Sequence, residues 1–189
     1  MPIEAALDKH KHWGSLVDVY DPVMKPSEWC RDQIKTVNTN PEDIKNVIQT
    51  HLHLDHSGAI GHFPNATHIT QRIEYDYAFN PDWFSQPAYI KEDFDKPNIR
   101  WKFLQGKKTD YFDLYGDGVI KIIFTPGHTP GHQSVLVNLP KNGHMLLTGD
   151  ACYTGDHWCD KCLPGLVASA SDAADSVAKL RKIAKETNA

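Results

Sequence analysis

Residues 50–63, THLHLDHSGAIGHF, place three histidines and an aspartate within six positions, His51 to His56. The short β-branched run before them, NVIQT at residues 46–50, reads as a buried strand. In extended backbone, residues two apart point to the same side. His51 and His53 therefore project in parallel from the strand end, while Leu52 and Leu54 face the core. Asp55 and His56 follow where the strand breaks before Ser57 and Gly58, so their side chains turn to the other side of the same spot. A solvated strand end explains a single histidine. Three in six residues, with an aspartate and this alternation, point instead to metal ligation. Imidazole and carboxylate together suit Zn²⁺ and similar divalent ions.

Two further segments supply donors. TPGHTPGHQS at residues 125–134 puts His128 in a tight Pro/Gly turn directly after the apolar run VIKIIFT, where the glycines let the chain turn sharply. TGDACYT at residues 148–154 puts Asp150 at the end of another apolar run, where one carboxylate can bridge two metals with its two oxygens. Loops at several strand ends converging on one point are a common way for sheets to build sites.

HLHLDH, GHTPGH and GD, in this order, resemble the motifs of the metallo-β-lactamase superfamily of dinuclear metal hydrolases, most strongly over residues 40–155. The resemblance implies an α/β (α+β) fold, a metallo-β-lactamase-like αββα sandwich, with two divalent metals, zinc being the first choice. It implies that His51, His53 and His128 hold one metal, that Asp55 and His56 hold the other, and that Asp150 bridges both. His132 is then a supporting residue rather than a ligand. TPGHTPGHQS followed by GDACYT is most similar to the N-acyl-homoserine lactonase branch, the quorum-quenching enzymes, in which the tyrosine matching Tyr153 contacts the lactone carbonyl. The reaction implied is opening of the lactone ring by a hydroxide shared between the metals, with Tyr153 stabilising the oxyanion and Asp55 passing a proton to the leaving alkoxide. A glyoxalase II-like thioesterase, or a hydrolase of another lactone or ester, is the nearest alternative. A non-catalytic metal-binding remnant is the alternative of another class.

The resemblance also implies strands ahead of the histidine cluster, ending in an Asp-Thr-Gly turn, and a last ligating histidine beyond the closing helix. Neither occurs in these residues, and His157 lies too near Asp150 for that role. The expectation is a domain lacking the edge of one sheet and one ligand, with the Asp55/His56 metal held more weakly than the other.

At 189 residues the chain suits one domain, with residues 80–108 as a loop-rich insertion. Helices are expected at residues 25–38, 71–79 and 171–186, the last with Val177, Leu180, Ile183 and Ala184 on one face, and a helical turn at residues 40–46 capped by Asn40. Strands are expected at residues 66–70, 119–125, 134–139 and 144–149, the last two joined by a PKNG hairpin turn. Aromatic residues Tyr77, Phe79, Trp83, Phe84, Tyr89 and Trp158 are candidates for an acyl-chain groove, and equally for local core or an oligomer contact. Net charge is −4, from 20 basic and 24 acidic residues, which gives no reason to expect a nucleic-acid partner. No apolar run approaches the roughly 20 residues that cross a bilayer. The expected partner is a small-molecule lactone, with a second copy of the chain admitted. Four cysteines (Cys30, Cys152, Cys159, Cys162) are too few for a disulfide scaffold, and the first residues lack the apolar core of a secretory signal, so a cytoplasmic setting is expected. The CDKC at residues 159–162 reads as a loop with two incidental thiols, since one pair cannot complete a tetrahedral zinc site.

Overall fold

The computed structural model describes residues 1–189, which form two compact units: residues 1–69 with 78–102, and residues 70–77 with 103–189. The first unit opens with two short helices, α1 (Ile3–Leu7) and α2 (Lys9–Trp13). The Asp8 side chain accepts from the Lys11 N–H and caps α2. Ala5, Trp13, Val17 and Leu54 are buried in one cluster, with Leu16 and Ile90 against it.

Residues 25–38, expected as one helix, break into a 3-10 turn (Pro26–Glu28), helix α3 (Cys30–Gln33) and a second 3-10 turn (Ile34–Val37). The break falls at Trp29, whose backbone is extended at φ −65° and ψ 137°. Its buried indole meets the His62 ring at 4.7 Å, so burial of a large aromatic overrides helical continuity. The turn expected over residues 40–46 forms only at Pro41–Asp43, with Asn40 at its N-cap position but making no side-chain cap hydrogen bond.

Strand β1 (Asn46–Ile48) runs parallel to β2 (Thr67–Gln71), with Val47 opposite His68 and Ile48 opposite Ile69. β1 is half-buried rather than buried, because it is the edge of a sheet ordered β1-β2-β3. Parallel strands need a crossover. Here residues 49–66 make it, and they carry the histidine cluster. Helix α4 (Arg72–Phe79) follows β2 directly, then come α5 (Lys91–Phe94) and β3 (Arg100–Leu104). Residues 80–108 thus carry a helix and a sheet strand among their loops. The signal for β3 was present in RWKFL: Arg100 and Lys102 are exposed while Trp101 and Phe103 are half-buried, the period-two pattern of a strand.

The second unit holds an antiparallel sheet ordered as in sequence, β4 (Tyr111–Asp113), β5 (Ile120–Phe124), β6 (Gln133–Leu139) and β7 (Gly143–Leu147). β6 and β7 form the expected hairpin, with Gly143 at φ 74° closing its turn. β4 has only three residues and too little pattern to be foreseen. It is fixed by the Asp113 carboxylate, which accepts the N–H groups of Gly116 at 2.8 Å and Gly118 at 2.7 Å and so bends the chain into β5. Helix α6 (Gly155–Trp158) precedes α7 (Ala170–Thr187), which is capped by Ser169 accepting the Asp172 N–H. α7 buries Ala173, Ser176, Val177, Leu180 and Ile183, spaced three and four apart, while Ala184 is only half-buried. Leu180 and Ile183 pack with Ile123, Leu136 and Ala151. Burial of each large aliphatic side chain there contributes about 1.5–3 kcal/mol. No helix is long and apolar enough to cross a membrane.

Candidate metal centre

The first unit brings His51, His53, Asp55 and His56 together. β1 ends at Ile48, so the histidines lie beyond it rather than on it; Leu52 and Leu54 are buried as expected, but so is His51, and the chain turns from residue 53 instead of staying extended. His51 is fully buried, with Nδ1 3.1 Å from Thr50 Oγ1. The His56 and Ser57 N–H groups both donate to the His53 carbonyl at 2.9 Å. This turn swings the His56 ring back to 4.2 Å from that of His51, while the His53 ring stands 4.6 Å from His51 and nearly perpendicular to it. Tyr89 packs its ring 4.7 Å from His53, and the Leu54 N–H donates to the Ala88 carbonyl at 2.8 Å. Desolvation raises the Asp55 pKa, but the hydrogen bond and charge of His56, with His53 behind, outweigh it and bring the carboxyl to about 2. Asp55 is therefore ionised at neutral pH.

The second unit brings His128, Asp150 and Tyr153 together. After β5 the loop closes on itself, with the Thr125 N–H donating to the His132 carbonyl at 2.9 Å and the Gly127 N–H to the Thr129 carbonyl at 3.0 Å. Gly127 sits at φ 135°, and a Cβ there would fall 2.3 Å from the Ala173 nitrogen, so only glycine fits. The Ala168 N–H donates to the Gly127 carbonyl at 2.8 Å, and His128 Nδ1 lies 2.8 Å from the Leu166 carbonyl. A carbonyl only accepts, so Nδ1 carries the proton and Nε2 the lone pair. Nε2 faces Asp150 Oδ2 at 3.5 Å. A lone pair aimed at a carboxylate is repulsive unless a proton or a metal cation lies between them, and an imidazole nitrogen beside a carboxylate oxygen is a donor set that fits a divalent metal.

Asp150 is held through His132, which is fully buried. His132 Nε2 accepts the Asp150 N–H at 3.0 Å, and its Nδ1 lies 2.9 Å from Thr125 Oγ1 and 3.1 Å from the Thr125 carbonyl. With Nε2 accepting, Nδ1 is the donor, which gives His132 the supporting role expected of it. Tyr153 OH is 2.9 Å from His128 Nδ1. The one Nδ1 proton is therefore shared between the Leu166 carbonyl and the phenol oxygen, and the phenol's own hydrogen is directed elsewhere.

Three contributors carried no sequence signal. The Leu166 carbonyl is backbone. Thr125 is one threonine among many. Glu74 hides among the charged residues of α4, although it is fully buried and its Oε2 accepts Thr129 Oγ1–H at 2.6 Å and the Gly131 N–H at 3.1 Å. Of the aromatic candidates, Phe79, Trp83 and Tyr89 line a groove of about 510 Å³ in the first unit, where Trp83 is 84% exposed.

The sequence model of the Metallo-beta-lactamase superfamily matches residues 14–189. The chain is 57% identical over 187 residues to the N-acyl homoserine lactonase AttM of Agrobacterium fabrum, covering 99% of this chain and 71% of that protein. It is 56% identical, with the same coverage, to AttM of Azorhizobium caulinodans. A solved N-acyl homoserine lactone hydrolase, with the product N-hexanoyl-L-homoserine at its catalytic metal centre, superposes with a TM-score of 0.81 at 28% identity, covering 100% of this chain and 70% of that one.

Proposed function

The chain belongs to the metallo-β-lactamase superfamily, and on that premise we propose that it is an N-acyl-homoserine lactonase, a hydrolase that opens the lactone ring of acylated homoserine lactones. The observation that carries this reading is the identity of more than half the residues, along 99% of the chain, with proteins of that activity. The ligand residues support it, since both halves of the motif set fold into tightly buttressed donor groups.

The ligands we assign are His51, His53 and His128 to one divalent metal and Asp55 and His56 to a second, with Asp150 bridging; zinc is the metal of choice for imidazole and carboxylate donors. When bound, such a pair supplies Lewis acidity and lowers the pKa of water, making a nucleophile at neutral pH. The protein's own residues then have distinct tasks. His132 holds the Asp150 backbone by accepting its N–H. The Leu166 carbonyl fixes the His128 tautomer. Tyr153, anchored on His128 as a hydrogen-bond acceptor, directs its hydrogen to the lactone carbonyl oxygen as negative charge grows there. Asp55, a carboxylate at neutral pH, would accept the proton released by the attacking water and deliver it to the leaving alkoxide. The product is the N-acyl homoserine.

The test is a pH-stat assay coupled to metal analysis, with N-hexanoyl homoserine lactone and a glutathione thioester as competing substrates. Acid release from the lactone, abolished by a chelator and restored by zinc, is the expected result. Turnover of the thioester alone would assign the chain to a thioesterase, and bound metal without turnover of either would leave a binding protein.

A further inference from the structure

Glu74 is a fully buried carboxylate that the reaction as described does not use. Burying a charge is costly unless it is met by hydrogen bonds. Here Oε2 takes the Thr129 hydroxyl at 2.6 Å and the Gly131 N–H at 3.1 Å. Their placement is specific. Thr129 directly follows His128, and Gly131 directly precedes His132, whose Nε2 accepts the Asp150 N–H. The loop is also pressed against α4, since a Cβ on Gly131 would lie 2.4 Å from Glu74 backbone nitrogen. Three residues earlier, Gln71, the last residue of β2, donates to Oε1 of Gln133, the first residue of β6, and accepts the Gly106 N–H, both at 2.8 Å, so the strand that leads into the helix holds the residue at which the loop ends.

From this we infer that Glu74 is a positioning residue for metal binding: its carboxylate sets His128 through Thr129, and Asp150 through Gly131 and His132. The inference rests on the assignment of His128 and Asp150 as ligands. It extends that assignment to a helix with no ligand of its own.

The test uses the full chain with three single variants and one double variant. Glu74→Leu keeps the approximate shape and removes the acceptor. Thr129→Val removes the hydroxyl at constant shape, and Thr129→Ser restores it. In the metal-free protein, exchange of the Gly131 amide should be at least tenfold faster in Glu74→Leu than in wild type. Zinc affinity, measured by competition with a chromophoric chelator, should fall about 10–100-fold in Glu74→Leu and about tenfold in Thr129→Val. The double variant should lose no more than Glu74→Leu alone, because both changes cut one link. Thr129→Ser should bind zinc within threefold of wild type. Additive losses, or folded Glu74→Leu and Thr129→Val proteins that bind zinc within threefold of wild type, would overturn the inference. Should Glu74→Leu fail to fold, the Thr129 pair decides: equal zinc affinity of the valine and serine variants would sink it. These readouts do not depend on the ester hydrolysed. Lack of lactonase activity in the wild-type protein would count against the proposed function alone.

Discussion

At His68 the imidazole is 1% exposed, and burial, reinforced by repulsion from Lys96 and His62, lowers its pKa to about 4. It accepts the Gly61 N–H at 3.4 Å through Nε2, which requires the neutral ring. The native value lies below the unfolded one of about 6.5, so falling pH charges the unfolded chain first. Stability from this group is complete above pH 6.5 and is lost as pH falls from 6.5 towards 4, by up to about 3 kcal/mol. Urea unfolding at pH 7.5 and pH 4.5 should therefore show a smaller acid loss for His68→Gln than for wild type. Equal losses would point to another group. At Tyr153 the removal of one hydroxyl is the sharp change: Tyr153→Phe should lower kcat about 100-fold with zinc content unchanged. A variant as active as wild type removes the phenol from the mechanism. Residues of this kind differ in legibility. His51, His53, Asp55 and His56 could be read because their spacing is local and their chemistry has few other uses. Glu74 could not, because its role depends on a loop 55 residues away.

Among the elements, the loop from β5 to β6 is fitted against the N-terminus of α7. Gly127→Ala would place a methyl 2.3 Å from the Ala173 nitrogen and force an L-residue into φ 135°. The expected loss is about 1–3 kcal/mol or more, from overpacking and strain together. Thermal unfolding should show a lower midpoint, and zinc affinity should drop with it because His128 is the next residue. A variant with unchanged midpoint and affinity would mean that α7 gives way without cost. The strands with apolar periodicity, β2, β5, β6 and β7, and the amphipathic α7 were all legible. The broken helix at residues 26–37 was not, because a tertiary contact of one indole decides it. The three-residue β4 was not either, because an aspartate turn rather than a pattern holds it.

For the whole molecule, metal and stability are linked by mass action: anything that binds only the folded chain stabilises it. At free zinc about 100 times its dissociation constant, the gain is about 2.7 kcal/mol, which for a chain of this size raises the unfolding midpoint by about 5–10 °C. Calorimetry before and after chelation measures it, and an unchanged midpoint would contradict the ligand assignment. Composition indicated the class of the molecule, an acidic domain of ordinary hydrophobic content, and it held nothing about which surfaces meet. Within each unit the proposed ligand residues are close in sequence: His51 to His56 lie in the crossover between β1 and β2, and His128 and Asp150 flank the β6–β7 hairpin. Short-range pairings close small loops, which costs little entropy and proceeds quickly. Pulse-labelled hydrogen exchange during refolding should find the amides of residues 53–57 and 125–150 protected among the earliest. On the ribosome, the His51–His56 group would then be shaped soon after its own stretch emerges, whereas His128 would gain its fixed orientation only once Leu166 and the start of α7 have followed it.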